Sequence, residues 1–246
     1  MRIAFFTDIH ANREAFMACL EHAGRNRIDR YVFLGDYVGY GADPAFVIET
    51  VMDHVGRGAI AVLGNHDAAA LVPDPAMNYA AFAAMEWTRH WLDGAHVAFI
   101  KGLPLSCEED GRLYVHASAD SPRAWHYVTD HHAASQCLEA TGAQATFCGH
   151  THVPALFHRS QGGGTASFRP HDGVEIPLAA GRRWLAVIGS VGQPRDRNPA
   201  ACYAVLDAAR SVLTYFRVPY DVDTAARKIS DAGLPPMLSR RLFAGW

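Results

Sequence analysis

Three apolar runs, at residues 2–7, 30–34 and 58–63, each stop abruptly in a polar cluster: Asp8-x-His10, Gly35-Asp36 and Gly64-Asn65-His66-Asp67. Short apolar runs bounded in this way read as buried strands. Between the first two, Ala15, Phe16, Cys19, Leu20 and Ala23 recur at spacings of three and four, the period of a helix over 11–23. Between the second and third, Asp43-Pro44 offers an N-cap and a first-turn residue for a helix over 44–55. The order strand, helix, strand, helix, strand predicts a parallel sheet with right-handed crossovers. In such sheets ligands bind beyond the carboxyl ends of the strands, where all three clusters fall.

Downstream, the Ala-rich stretch 76–101 predicts a helical segment covering the sheet, with Phe82, Trp87 and Trp91 in the core. Asp110-Gly111 is a hairpin signal, and its second arm, Leu113-Tyr114-Val115, delivers His116. A helix over 130–141 and a strand over 145–148 lead to Gly149-His150-Thr151-His152. Gly162-Gly163-Gly164, Pro170 and Gly173 mark 160–173 as a mobile hairpin tip or insertion. Strands near 184–189, 201–206 and 212–217, a short helix near 222–231 and a Pro-containing tail complete the expectation. No internal repeat is visible.

Half of the 246 residues are hydrophobic and 19% are charged, enough apolar matter for one large domain over 1–246. A formal net charge of -3 gives no general attraction to nucleic acid or an anionic membrane. No stretch approaches the ~20 apolar residues that span a bilayer. The opening residues reach Asp8 too soon for a secretory signal, and Cys19, Cys107, Cys137, Cys148 and Cys202 form no CxxC pair. A cytoplasmic protein with reduced thiols is the expectation.

Side chains at i and i+2 of an extended segment share a face. Asp8 and His10 would then bring an oxygen and a nitrogen to one ion, and His150 and His152 two nitrogens. Gly35 permits a sharp turn that presents Asp36, whose two carboxylate oxygens can bridge two metals. Asn65 adds an amide oxygen and His116 another imidazole. Mixed oxygen and nitrogen donors without thiolate suit Mn, Fe, Zn, Co or Ni, with Mn, Fe or Zn foremost. Two such ions about 3.5–4 Å apart can clamp an in-line displacement at phosphorus.

The content and order of these blocks, over residues 1–155, resemble the calcineurin-like metallophosphoesterase family. The resemblance implies a four-layer αββα sandwich whose later strands form the second sheet. It implies that Asp8, His10, Asp36 and His152 hold a first divalent ion, and that Asp36, Asn65, His116 and His150 hold a second. It gives His66 the task of protonating the leaving oxygen or steadying the phosphoryl group, with Asp67 orienting its ring; the alternative for Asp67 is a helix cap. An Asp beside a His favours the imidazolium a general acid needs. The reaction implied is attack on phosphorus by a hydroxide bridging the two ions, with no phosphoenzyme.

Departures from the family pattern point to the substrate. Tyr40 stands where the phosphoprotein phosphatases of the family carry an Arg, and Asp67 where they carry a Glu. The stretch Gly189-Ser190-Val191-Gly192-Gln193-Pro194-Arg195 is similar to a bacterial subgroup described as phosphodiesterases or diadenosine tetraphosphate hydrolases. A small nucleotide-like phosphoester or phosphoanhydride is therefore expected, with no stable nucleic-acid partner. One rival is a phosphodiesterase acting on cyclic nucleotides or nucleic acid; another is a metal-bound scaffold without turnover. The helical histidine–aspartate phosphohydrolases are set aside because His66-Asp67 follows a strand. Asn12 and Arg13 could meet substrate phosphate at a helix start or form a solvated first turn. Arg195 could meet a substrate anion or pair with Asp196. Tyr37 and Tyr40 could stack on a base or pack in the core. His126, His131 and His132 read as surface histidines near one another in a loop.

Overall fold

The computed structural model describes residues 1–160 and 162–246. In chain order the first part is β1 (Arg2–Phe6), α1 (Arg13–Arg25), β2 (Arg30–Phe33), α2 (Pro44–Gly56), β3 (Ile60–Ala61), α3 (Asn65–Leu71), α4 (Tyr79–Arg89) and α5 (Gly94–Gly102). Then follow β4 (Ser106–Glu109), β5 (Arg112–Val115), a 3-10 turn at Pro122–Ala124, α6 (His131–Glu139), β6 (Ala145–Cys148), β7 (Ala155–Ser160) and β8 (Thr165–Phe168). The chain ends with β9 (Glu175–Pro177), β10 (Arg182–Val187), β11 (Ala201–Asp207), β12 (Val212–Val218), α7 (Val222–Asp231) and α8 (Pro236–Ala244).

Among the described residues two six-stranded sheets form, ordered β3-β2-β1-β11-β12-β9 and β4-β5-β6-β10-β7-β8. β1, β2 and β3 are parallel, as the crossovers require, and β11 joins β1 antiparallel. The expectation that the later strands build the second sheet is corrected. β9, β11 and β12 complete the first sheet, while the β4–β5 hairpin, β6, β7, β8 and β10 make the second.

Strand alternation explains the layers. Along β1, Ile3 and Phe5 face the second sheet and meet Tyr114, Phe147 and Trp184. Ala4 and Phe6 face the helices and meet Phe16 of α1 and Ile48 of α2. Both faces are buried, so the strand reads as a continuous apolar run. On the far side, Ala134, Cys137 and Leu138 of α6 cover Val115, Leu185 and Val187. The result is the expected αββα sandwich. A satellite core joins α4, α7 and α8 through Ala84, Ile229, Leu238 and Leu242.

Several local expectations change. The third strand shrinks to two residues. The segment 76–101 is two helices, α4 and α5, the second opened by the Asp93 cap. Phe82 and Trp91 are exposed, at 37% and 56%, because they lie on the outer faces of this region. The tail forms α8, which begins at Pro236 after the turn at Pro235. Asp110 and Gly111 both have positive φ (49° and 70°), the conformation a tight hairpin turn requires. The glycine-rich tip joins β7 to β8 as a hairpin; position 161 lies outside the described residues.

Candidate metal centre

The polar clusters meet at the carboxyl ends of β1, β2, β3, β5 and β6, and their Asp and His side chains are almost wholly buried, with Asn65 partly exposed. Their convergence does not come from strand alternation. Asp8, His10, Asp36, His150 and His152 all have left-handed backbone, with φ between 50° and 68°. The reading of Asp8-x-His10 and His150-x-His152 as extended segments is therefore corrected. Each side chain is aimed by a residue-by-residue turn, at a cost of roughly 1–3 kcal/mol per strained residue that the surroundings must offset. The surroundings do so through backbone bonds. Asp8 N–H donates to Gly35 O, His10 N–H to Asp36 O, and Gly192 N–H to Asp8 O. Ser190 Oγ–H also donates to Asp8 O.

Three imidazoles are held in one tautomer. The Nδ1 atoms of His10, His116 and His152 lie 3.0, 2.7 and 2.6 Å from the carbonyl oxygens of Val38, Leu34 and Gln193. A carbonyl only accepts, so each Nδ1 carries the hydrogen, and each ring when neutral turns a lone pair at Nε2 inward. The inward atoms then crowd. His10 Nε2 and His152 Nε2 are 3.2 Å apart, and Asp8 Oδ1, which has no hydrogen-bond partner, is 3.2 Å from His152 Nε2. Three electron-pair donors this close repel unless a cation stands among them.

A second group repeats the pattern. His116 Nε2 lies 3.1 Å from Asn65 Oδ1, 3.2 Å from His150 Nδ1 and 3.4 Å from Asp36 Oδ2. The same Asp36 Oδ2 is 3.6 Å from His10 Nε2, so one oxygen faces both groups. Geometrically, Asp8–His10–His152, Asp36–His116–His150 and His10–Asp36–His66 are the sets able to surround an ion among the described residues. The donor set, the orphaned Asp8 oxygen and the facing lone pairs fit divalent metal.

Protonation follows the same logic. Burial pushes His10 and His152 down and His150 to about 3, which leaves them neutral and able to ligate. Burial also opposes charge on His116, but the Asp36 carboxylate outweighs it and raises that ring to about 9, so this imidazole holds a second proton at Nε2 toward Asp36 at neutral pH and must release it to ligate.

Asp67 does not orient His66, which corrects the sequence expectation. Its Oδ2 accepts from Asp36 N–H (2.8 Å) and Gly64 N–H (3.0 Å), and its Oδ1 from Tyr37 N–H (2.9 Å). It caps the first turn of α3 and pins the loop that carries Asp36. Burial and nearby Asp36 push the Asp67 carboxyl up to about 7; the backbone donors on both oxygens favour the ionised form. His66 has a buried Nδ1 without a partner, and burial takes the ring down to about 4. Both residues sit in the first turn of a helix, so the strand-end contrast with the helical histidine–aspartate enzymes is weaker than the sequence implied. Their neighbours are nonetheless loop and strand-end residues.

The substrate-contact expectations divide. Asn12 is a structural residue: its oxygen caps Ala15 N–H, and its amide donates to Gly192 O and to Tyr220. Arg13 stacks over Phe46, 4.1 Å from the ring centre, so its cation is engaged on the α2 side. Arg195 makes no ion pair with Asp196, which pairs with Arg217 instead. Arg195 lies over Tyr40, whose ring is 4.6 Å from His10 and 4.5 Å from His66. Tyr37 is core, fully buried with its hydroxyl donating to Val62 O. His126 pairs with Asp120 on the surface, and His131 and His132 open α6.

Sequence reasoning missed two aromatic neighbours. Tyr127, half-exposed, stacks on His150 at 4.0 Å, and Trp125 meets His116 edge-on at 5.8 Å. The run Trp125-His126-Tyr127 was a signal, but only the fold brings it over β5 and β6.

Comparison with known proteins agrees with this geometry. An archaeal protein of Methanocaldococcus jannaschii, described as uncharacterized, is 33% identical over 99% of this chain and 98% of its own length. A metallophosphoesterase crystal structure from Sphaerobacter thermophilus superposes with a TM-score of 0.89 at 34% identity, covering 100% of this chain and 99% of the other. A hypothetical protein of Pyrococcus horikoshii shares the fold, with a TM-score of 0.80 at 18% identity over 100% and 98% of the two chains. The profile for calcineurin-like phosphoesterases matches residues 1–154. The chain belongs to the calcineurin-like phosphoesterase family, and its reaction class is metal-dependent hydrolysis of phosphoesters.

Proposed function

We propose that the protein is a dinuclear-metal hydrolase that cleaves phosphoester or phosphoanhydride bonds of small nucleotide-like substrates. The observation that carries the two-ion reading is the position of Asp36 Oδ2, which faces His10 Nε2 on one side and His116 Nε2 on the other. Asp8, His10, Asp36 and His152 would hold one ion, and Asp36, Asn65, His116 and His150 the other, with Mn, Fe or Zn the best match to these donors. Two divalent ions there would supply positive charge for phosphoryl oxygens and generate hydroxide at neutral pH.

The chain's own groups do the rest. The carbonyls of Val38, Leu34 and Gln193 fix the tautomers of His10, His116 and His152. Asp67 and the Asp8 backbone bonds hold the strained loops in place. His66 lies beside His10 with no ion pair to its ring, and burial disfavours its charge more than the nearby Asp36 carboxylate favours it. Of its two expected tasks, steadying a phosphoryl oxygen by hydrogen bonding fits this setting better than general-acid work. The net charge of -3 gives no general attraction to a polyanion, which supports a small substrate over a nucleic acid. No helix is long and apolar enough to cross a membrane among the described residues, and we attach a cytoplasmic setting to the five free cysteines. Residues 1–246 act as one unit in this reading.

The test is metal analysis coupled to a panel of para-nitrophenyl monoesters and diesters, cyclic nucleotides and dinucleoside polyphosphates. Hydrolysis that requires about two ions per chain and collapses in His66→Ala supports the reading. A metal-loaded protein that turns over nothing in the panel, with partner binding unaffected by His66→Ala, would make it a scaffold. Preference for cyclic nucleotides or nucleic acid would move it to the diesterase reading. Retention at a chiral phosphorus in a single turnover would exclude direct attack.

A further inference from the structure

Arg195, in the loop after β10, and Arg241, in α8, lie side by side. Arg195 Nη2 donates to Gln193 Oε1 at 2.9 Å, and Arg241 Nη1 donates to the same oxygen at 3.1 Å. Neither guanidinium is within ion-pair distance of a carboxylate among the described residues; Asp196, next in sequence to Arg195, is taken by Arg217. Both Nε atoms are buried without partners. Two full positive charges thus share one neutral amide oxygen in a half-buried setting. Like charges so placed raise each other's energy, and proteins usually separate them or insert a carboxylate. Here burial, reinforced by Arg195, holds Arg241 below its usual range.

The pair is also next to the metal centre. Arg195 N–H donates to the carbonyl of His152 at 3.1 Å. Its guanidinium carbon is 5.7 Å from the centre of the Tyr40 ring, which in turn packs on His10 and His66. One aromatic ring therefore separates the Arg195 guanidinium from the cluster, and Arg241 lies beyond it across the shared Gln193 oxygen. Gln193 links the two sites from the other side, because its backbone carbonyl fixes His152 while its side chain gathers the arginines.

We propose that Arg195 and Arg241 form an anion subsite for a second phosphoryl group of the substrate, and so favour phosphoanhydrides of the nucleoside-polyphosphate class over simple monoesters. The inference rests on the phosphoesterase reading for its substrate, but not for its ligand chemistry. Guanidinium groups present paired donors that match phosphate oxygens, and an anion between them removes their mutual repulsion. Arg241 carries no motif, so only the contacts of the α8 region with the 188–200 loop, Arg241 to Gln193 and Arg197 N–H to Gly245 O, reveal it.

AMP and ADP are the probes, since they differ by one phosphoryl group. Their dissociation constants on metal-loaded protein are measured by titration calorimetry and, separately, by competition against hydrolysis of bis(para-nitrophenyl) phosphate. The expected result is ADP binding at least about ten-fold tighter than AMP, with the ratio falling to within about two-fold in Arg241→Met. Gln193→Glu keeps the acceptor oxygen and adds a charge that both arginines neutralise, so it should remove the preference as well; it decides the matter if Arg241→Met does not fold. Equal binding of ADP and AMP by the parent protein, or an unchanged ratio in both variants, overturns the subsite. If no ester is hydrolysed while calorimetry still shows the arginine-dependent ADP preference, the phosphoesterase reading fails and the subsite stands.

Discussion

Replacing Asp67 by Asn keeps the size of the side chain and removes one of its two acceptor oxygens. In the structure Oδ2 takes the N–H groups of Asp36 and Gly64, and Oδ1 takes that of Tyr37. An Asn amide must turn its NH2 toward one of these sets. If the oxygen stays on Tyr37, two buried N–H groups face a donor. Each buried group left without a partner costs about 1–3 kcal/mol, so the variant should lose about 2–6 kcal/mol. For a chain of this size each kcal/mol lowers the unfolding midpoint by about 2–4 °C, giving a fall on the order of 10 °C. Because the freed donors include Asp36 N–H, metal content should fall too. Differential scanning calorimetry and elemental analysis of the purified variant read both effects. An orienter of His66 would behave otherwise, lowering kcat while midpoint and metal content hold. A midpoint within about 2 °C of the parent with full metal content would refute the structural role assigned to Asp67.

Asp36→Asn should empty both metal positions, not one; elemental analysis showing one ion fully retained would count against a shared oxygen. Acidification should loosen the Asp36–His116–His150 position first: His116, raised to about 9 by Asp36, must give up its proton to ligate, so affinity there falls as pH drops below that value, whereas His10, His152 and His150 are held low by burial and stay neutral; dialysis at graded pH followed by elemental analysis checks this, and simultaneous loss of both ions would count against it. Gly64→Ala would place a methyl 2.2 Å from Asp36 Oδ1, an overpacking that costs about 1–3 kcal/mol or more and displaces the carboxylate; a parent-like denaturation curve and metal content would contradict the packing described. Arg13→Ala should leave kcat/KM within about two-fold on any substrate the parent turns over, because the guanidinium stacks on Phe46 and not on the site.

The first half of the sheet was legible because its cause is local. Apolar runs, helical spacing and the Asp43-Pro44 start are written in neighbouring residues, and β1, α1, β2 and α2 follow them closely. The identities of the clustered residues were legible too, since blocks of Asp, His and Asn recur together at successive strand ends. Their geometry was not. Nothing in Asp8-x-His10 announces left-handed backbone, which arises only because Gly35, Asp36 and Gly192 bond to that loop from far along the chain. Adjacency in sequence misled for Asp67, which points away from its neighbour His66 to serve the loop at Asp36. Arg241 was invisible because α8 reaches the site through tertiary packing, with Leu238 and Leu242 buried in the satellite core.

The bonds that hold the Asp8 loop have a kinetic consequence. Asn12 donates to Gly192, Ser190 donates to Asp8, and β1 pairs with β11, all joining residues 180–205 positions apart. Contacts of such span are slow to form, because a long loop must close before any of them is rewarded. The inward-facing imidazoles can reach their final places only after the last third of the chain has docked against the first. Metal capture is then a closing event in folding and not a nucleus for it. Refolding started with or without metal should proceed at similar speed, with the metal felt mainly as a slower rate of unfolding.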